Sequence, residues 1–331
     1  MSVEHEHASV DSSRLLAYLQ LIRAPNVFTA IADVAMGFVF VSGSLAPVGA
    51  FACLATASCL LYTAGMILND VYDVEVDRQE RPSRPLPAGR ISASRAQWLG
   101  YGMLVAGVLL AFCVSPLVPA SPASPASPAW RSAMVALALA ASVIAYDTIL
   151  KRTLLGPLAM GACRFLNVLL GMSFAASGDI APLNFDMSHL MVAGGIGVYI
   201  VGVTWFARTE ATASNRLWLT FGVGWMAAGV MMLAFFPQYA SAELARRFHI
   251  EPTRVWPLAL FLITVSILRR CLVAIAAPSP RQVQSAVKQS ILSLIVLDAA
   301  VALLMADWPY AVGILALLLP TLLLGKWVYS T

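Results

Sequence analysis

The chain has 331 residues, 60% hydrophobic and 11% charged, with a formal net charge of +4 and a mean hydropathy of +0.79. Soluble domains carry about 25% charged residues, so this composition excludes a soluble enzyme, a disordered tail and a nucleic-acid-binding module. Apolar runs near the roughly 20 residues that cross a bilayer recur along the whole length. They are continuous rather than alternating, which argues against a transmembrane barrel. The class is all-α: a polytopic helical membrane protein.

Residues 1–22 read as a polar tail. Its opening, MSVEHEHASVDSS, lacks the basic and apolar regions of a cleaved signal, and His5 and His7 between Glu4 and Glu6 read as solvated. Ten apolar segments follow: Val27–Val41, Val48–Leu68, Trp98–Val114, Ser132–Leu150, Leu158–Ala176, Leu190–Ala207, Leu217–Phe236, Val255–Leu268, Ile291–Ala306 and Tyr310–Leu324. The eighth is the weakest, short and ending on Arg269-Arg270; were it to re-enter, nine spans would remain. Residues 23–331 then form one transmembrane domain in two helical halves, about 23–175 and 176–331.

With ten spans, most Lys and Arg fall on one side, which the positive-inside rule makes cytoplasmic together with both termini. The expected location is a bacterial-type inner membrane. The stretch Ser115 to Trp130, with its repeated Pro, reads as an extended external spacer. The segment from Gln238 to Arg254 has room for a short external amphipathic helix. Cys53, Cys59, Cys113, Cys163 and Cys271 sit in apolar stretches and read as small packing side chains, neither disulfides nor ligands.

The informative block is NDVYDVEVDRQERPSRPLPAGRIS, Asn69 to Ser92. On a helix, Asn69, Asp73 and Asp77 are four apart and share a face, with Asp70 on an adjacent line. Unpaired acids at a membrane boundary repel one another and resist burial. A hard divalent cation removes that cost, and Mg²⁺ held by few carboxylates leaves room for substrate phosphates. The predicted metal ligands are therefore Asn69, Asp70, Asp73 and Asp77. A solvated helix end is the plainer alternative, but it does not explain the shared face beside a basic, proline-rich loop. In that loop Arg84 and Arg90 have the planar forks that grip phosphate; Arg81 reads equally well as a topology residue.

The same block resembles the first aspartate-rich motif of the UbiA superfamily of intramembrane prenyltransferases, down to the trailing R-P-L-P-A-G. R-A-P-N, Arg23 to Asn26, resembles the family's approach to helix one. Y-D-T-I-L-K-R, Tyr146 to Arg152, resembles its loop between helices four and five. The resemblance runs from about Arg23 through the seventh span. It implies an isoprenoid-synthase-like ring of helices around a central cavity, and Mg²⁺-dependent transfer of an allylic prenyl group from a prenyl diphosphate to a small-molecule acceptor, most often aromatic. It assigns Asp70, Asp73, Asp77, Lys151 and Tyr146 to catalysis. The substrate-binding residues expected are Asn26, Asn69, Arg84 and Arg152, with Arg164 and Asn167 from within the spans and Arg208 and Glu210 from the segment where the chain departs from the family. Membrane lipid is the surrounding partner, and no nucleic acid is expected.

One departure stands out. The family usually carries a second aspartate-rich motif after helix six. Here the segment reads VTWFARTEATASNR, Val203 to Arg216, with Glu210 its only carboxylate. Arg208 then substitutes one cation for another, and the change suits a divergent, EboC-like subgroup. It equally suits a silent homologue that binds a prenyl lipid or an operon partner. A small transporter is a further alternative, against which no inverted repeat is found. Inside the spans, Arg164 and Asn167 are read as cavity or interhelix contacts, Asp33 as cavity-lining or structural, and Asp298 as structural. Among the aromatics Tyr62, Tyr72, Tyr146, Trp205 and Phe206, Tyr146 is the first candidate to guide an allylic cation through its ring face.

Overall fold

The computed structural model describes residues 14–117, 130–174, 185–208 and 215–328. Its long helices are α1 (Ala24–Ser42), α2 (Val48–Tyr72), α3 (Ala93–Phe112), α4 (Trp130–Thr148), α5 (Gly156–Met172), α6 (Met187–Ala207), α7 (Arg216–Phe235), α8 (Val255–Ala276) and α9 (Pro280–Met305), followed by α10 (Trp308–Ala316) and α11 (Leu318–Trp327). No strand occurs among the described residues. Counting α10 with α11, nine helical stretches there are long and apolar enough to cross a membrane, and α5, at 17 residues, is a shorter tenth. The break between α10 and α11 has a local cause. Pro320 cannot donate to the carbonyl four residues back, and its ring crowds that carbonyl, which belongs to Ala316.

The weak span is therefore the fifth, not the eighth. Helix α8 runs 22 residues and continues through Arg269 and Arg270. Long basic side chains near a helix end reach outward while their stems stay on apolar surface, and Arg270 Nη1 donates to Ser285 Oγ on α9 at 2.8 Å.

Helix α1 is the axis of the bundle. It packs on α2, α5, α9 and the α10–α11 pair, and Val34, Met36, Phe38, Val39 and Phe40 are fully buried. A helix apolar all round belongs inside. Its close approach to α5 depends on Gly171, where a Cβ would stand 2.4 Å from the Val34 carbonyl oxygen. Helices α6 and α7 meet the same way: a Cβ on Gly229 would stand 2.5 Å from the Gly195 carbonyl oxygen. Small residues at such contacts let helices associate in lipid, where hydrophobic burial gives little drive. Helices α3 and α8 lie outside, with Trp98, Leu109, Phe261 and Leu262 exposed.

At the end remote from the Asp70 block, the short helix expected within 238–254 is a single turn, Ala242–Ala245. Its continuation is pre-empted by Glu251, whose carboxylate accepts from the backbone of Thr253, Arg254 and Val255 and from the Thr253 hydroxyl to start α8. Arg247 closes α1 instead, donating to the carbonyls of Val41 at 2.8 Å and Val39 at 3.3 Å. The Val39 carbonyl also accepts from the Gly43 amide at 2.7 Å, so Arg247 adds a side-chain cap where a helix C-terminus leaves carbonyls short of partners. All five cysteines are free. The tail histidines and most of the proline-rich spacer lie outside the described residues.

Candidate functional site

The block at the end of α2 does not form one continuous helix. Helix α2 stops at Tyr72, Asp73 takes φ −100°, ψ 3°, and a short helix resumes over Val74–Glu80. Asp is a common helix-cap residue, yet the Asp73 carboxylate makes no cap bond. It faces the α4–α5 loop, where Lys151 Nζ stands 2.8 Å and Arg152 Nη2 3.6 Å from its Oδ1. The kink turns Asp73 away from Asp70 and Asp77, so the shared face predicted from spacing is divided.

Asp70 and Asp77 do come together, on one nitrogen. Arg84 Nη1 stands 2.7 Å from Asp77 Oδ2 and 3.3 Å from Asp70 Oδ1. Arg23 Nη2 adds a second contact to Asp70 Oδ1 at 3.2 Å. Both carboxyls are buried. Burial of paired acids is affordable because each meets a guanidinium.

The loop that delivers Arg84 is anchored by its own small core. Leu86 and Ile91 pack with Ala17, Leu21, Ile67 and Ala96. The turn closes through Ala88 N to Arg84 O at 3.0 Å and Gly89 N to Leu86 O at 3.0 Å, with Gly89 at φ +70°. Arg90 folds back onto the Ser83 carbonyl at 2.9 Å and is committed to the loop. Arg23 is positioned by an uncommon backbone: it caps α1 with φ 48°, ψ 50°, left-handed for a residue that is not glycine. Such conformations cost on the order of 1 kcal/mol and persist where the surroundings impose them.

Beside these pairs lies a cavity of about 300 Å³. Five cations line it, Arg23, Arg81, Arg84, Arg164 and Lys288, and no carboxylate does among the described residues. Its other walls are Pro25, Asn26, Tyr62, Met66, Met160, the Gln284 amide and apolar or hydroxyl side chains of α6, α9 and α11. A second cavity of about 60 Å³ lies between α2, α4 and α5 and holds Tyr146, Asp147, Cys163 and Asn167. Tyr62, Met66, Met160 and Arg164 line both.

The remaining predicted residues divide as follows. Asn69 donates to Asp147 Oδ1 at 2.9 Å rather than standing with the acids. Tyr146 lines the smaller cavity. Arg164 and Asn167 are bonded to α1, with Arg164 also a cavity wall. Arg208 is exposed; it donates to the Thr153 carbonyl at 2.7 Å and lies over the Trp205 ring at 4.9 Å. Glu210 lies outside the described residues. Among the aromatics, Tyr72 pairs with the Tyr101 hydroxyl at 2.5 Å, Trp205 stacks on Trp218, and Phe206 is core.

Sequence reasoning missed Asp147, Arg23 and Lys288 as site residues. Asp147 was in view within Y-D-T, and one of its oxygens is buried without a partner. Arg23 was in view within R-A-P-N. Lys288 carries no local motif.

Whether the residues suit Mg²⁺ can be tested on the donor set. No three acidic, His or Cys side chains converge on a point among the described residues. Two carboxylates do share a cation, the Arg84 nitrogen between Asp70 and Asp77. That pair fits a Mg²⁺ completed by ligand phosphates and waters, which is how this ion is commonly held; a closed all-protein cage does not fit.

A curated relative, digeranylgeranylglyceryl phosphate synthase of Ignicoccus hospitalis, is 38% identical over 110 residues, covering 33% of this chain and 35% of its own length. The chain matches only about a third of the length of such relatives. A solved structure concerning digeranylgeranylglyceryl phosphate synthase in membranes superposes with a TM-score of 0.60 at 18% identity, covering 92% of this chain and 99% of that one. A UbiA homologue from Archaeoglobus fulgidus, bound to DMAPP and Mg²⁺, superposes with a TM-score of 0.51 at 15% identity, covering 90% and 99%. The model of the UbiA prenyltransferase family matches residues 30–280. With the family model matching most of its length, the chain belongs to the UbiA prenyltransferase family.

Proposed function

We propose that the chain moves a prenyl group, within the membrane, from an isoprenyl diphosphate to the hydroxyl of a phosphate-bearing acceptor. The observation that carries this reading is the cavity with five cations and, among the described residues, no carboxylate in its lining, walled elsewhere mostly by apolar side chains. Anionic headgroups suit the first feature and an isoprenoid tail the second.

The donor's diphosphate lies against Arg23 and Arg84, with Lys151 and Arg152 behind Asp73. Asp70 and Asp77 are the residues that would hold Mg²⁺, while Asp73 holds Lys151 and Arg152 in place. The negative charge growing on the departing diphosphate is what bound Mg²⁺ neutralises, and the fixed guanidinium groups act in the same direction. The bond from the allylic carbon to the diphosphate oxygen breaks, and the electron pair leaves with the diphosphate. The allylic cation lies near the Tyr62 and Tyr146 rings. The acceptor oxygen forms the new bond, and its proton passes to the diphosphate.

A phosphate-bearing alcohol replaces the aromatic acceptor expected from the family at large for two reasons. The relatives are named as glyceryl phosphate enzymes, and Arg81 and Lys288 supply cations at the mouth beyond those that pair with the acids. The positive-inside rule places this end, and both termini, in the cytoplasm.

A second reading is favoured by one observation. Asp70, Asp73 and Asp77 are each paired with a base of the same chain, which suits a silent prenyl-lipid-binding homologue. Isolated membranes, geranyl diphosphate and radiolabelled release of diphosphate decide between them. The enzyme reading expects Mg²⁺-dependent release that Asp73→Ala lowers by roughly a hundredfold. Undiminished turnover in Asp73→Ala, or no release by the unmodified chain under any acceptor supplied, supports the silent reading.

A further inference from the structure

The smaller cavity, between α2, α4 and α5, holds one carboxylate that the proposed reaction does not use. Asp147 sits in the last turn of α4 and is 2% exposed. Its Oδ1 accepts from Asn69 Nδ2 of α2 at 2.9 Å. Its Oδ2 is enclosed and has no hydrogen-bond partner among the described residues. Two other polar walls of the same cavity are already engaged. Arg164 Nη1 donates to Asp33 Oδ2 at 2.8 Å and Nη2 to Thr29 Oγ1 at 2.7 Å. Asn167 donates to Asp33 and to the Ala30 carbonyl and accepts from Ser58.

An enclosed carboxyl oxygen without a partner costs free energy that a polar group entering the cavity would return. A hydroxyl suits it. A hydroxyl both donates and accepts, so it is satisfied against that oxygen whether or not the oxygen carries a proton. Size points the same way. The cavity measures about 60 Å³, well below the roughly 150 Å³ that admits a benzene ring. It takes the CH–OH end of an aliphatic alcohol and not a phenol. Its walls Tyr62, Met66, Met160 and Arg164 are shared with the cationic cavity, so one molecule can set a phosphate among the cations and a hydroxyl against Asp147.

We infer that Asp147 selects the acceptor: its Oδ2 accepts a hydrogen bond from the free hydroxyl of a phosphate-bearing aliphatic alcohol and holds that oxygen in the cavity that Tyr146 lines. Asn69, bonded to the other carboxyl oxygen, keeps Oδ2 turned to the cavity. Asp147 binds and orients here; it makes and breaks no bond. The acceptor role rests on the transfer reading, whereas the hydroxyl subsite does not.

The test uses the purified full chain in nanodiscs and two probes: octadecylglyceryl phosphate, with one free hydroxyl, and octadecylpropanediol phosphate, which lacks it. The quantity read is the ratio of their dissociation constants, which a general loss of folding or of phosphate binding does not move. The unmodified chain should prefer the hydroxyl probe by about tenfold, the range of one buried hydrogen bond. Asp147→Leu removes both oxygens at similar volume and should bind the two probes alike. Asp147→Asn keeps the contact to Asn69 but puts a neutral amide in place of the carboxyl, and should retain at most about threefold. Equal binding by the unmodified chain, binding of neither probe, or an undiminished preference in either variant overturns the inference; should the Leu variant fail to fold, the Asn variant decides. Mg²⁺-dependent release of diphosphate from geranyl diphosphate in the same nanodiscs tests the transfer reading separately. Release with equal probe binding removes the Asp147 subsite alone, and a tenfold preference without release removes the transfer reading alone.

Discussion

Arg84 and Asp77 meet at 2.7 Å across a kinked turn and a proline-rich loop, with only 14% and 6% of their side chains exposed. The same Arg84 nitrogen reaches Asp70, so one guanidinium keeps two buried carboxylates at close range. Removing it should be felt twice. Arg84→Ala is expected to cost on the order of 3 kcal/mol, because a buried acid left without its partner is strongly unfavourable. If the two acids accept a metal, Mg²⁺ should restore part of that loss. Thermal unfolding in detergent, with and without Mg²⁺, measures both effects, and an Mg²⁺-insensitive variant would argue against metal binding at Asp70 and Asp77.

The acceptor reading has its own variants. Arg81→Ala and Lys288→Ala should each raise KM for a glyceryl phosphate acceptor by about tenfold, the range for a lost charge-assisted hydrogen bond. The KM for geranyl diphosphate should move less. An uncharged phenol, if it is accepted at all, should be indifferent to both changes. Steady-state kinetics with each acceptor in turn separates the two acceptor classes.

Helix contact at α6–α7 offers a test of the fold alone. Gly229→Ala forces a Cβ to within 2.5 Å of both the Gly195 carbonyl oxygen and the Tyr199 backbone nitrogen. Neither is the end of a flexible side chain, so the helices must separate, at roughly 1–3 kcal/mol. A lowered Tm in detergent is expected, whereas Gly224→Ala, with nothing within 4 Å of the added carbon, should be neutral.

Glu251, in the segment before α8, gives a pH signature. Hydrogen bonds from the Thr253 hydroxyl and from the backbone of Thr253, Val255 and Arg254 hold its carboxyl down at about 2, against 4.5 ordinarily. Folding therefore favours the ionised form. Its contribution is complete above about 4.5 and is lost as the pH falls toward about 2. Glu251→Gln should flatten that part of an acid-unfolding profile while leaving the neutral-pH profile little changed.

Much of the architecture was legible because lipid imposes so strong a pattern. Ten apolar segments could be laid out before any coordinates, and the first aspartate motif announced the site. The failures have physical causes. The i, i+4 spacing of Asn69, Asp73 and Asp77 presumed an unbroken helix, and the kink at Asp73 gave that carboxylate to Lys151 instead. The kink depends on a partner 78 residues away, which spacing cannot contain. Arg23 reaches Asp70 only through a left-handed backbone, and no residue type announces that. The eighth span looked truncated because Arg269 and Arg270 read as a stop, although the helix runs on to Ala276 and Arg270 is held sideways by Ser285 of α9. Lys288 faces the cavity from α9, beyond the stretch where the family resemblance was strong.

The short α5 has a consequence for the bilayer itself. Seventeen residues rise about 25 Å, less than the roughly 30 Å of a hydrocarbon slab. Its neighbour α2 has 25 residues and overshoots that thickness. Two adjoining helices of such unequal length cannot both end level with the headgroups, so the bilayer beside them must thin or the longer helix must tilt.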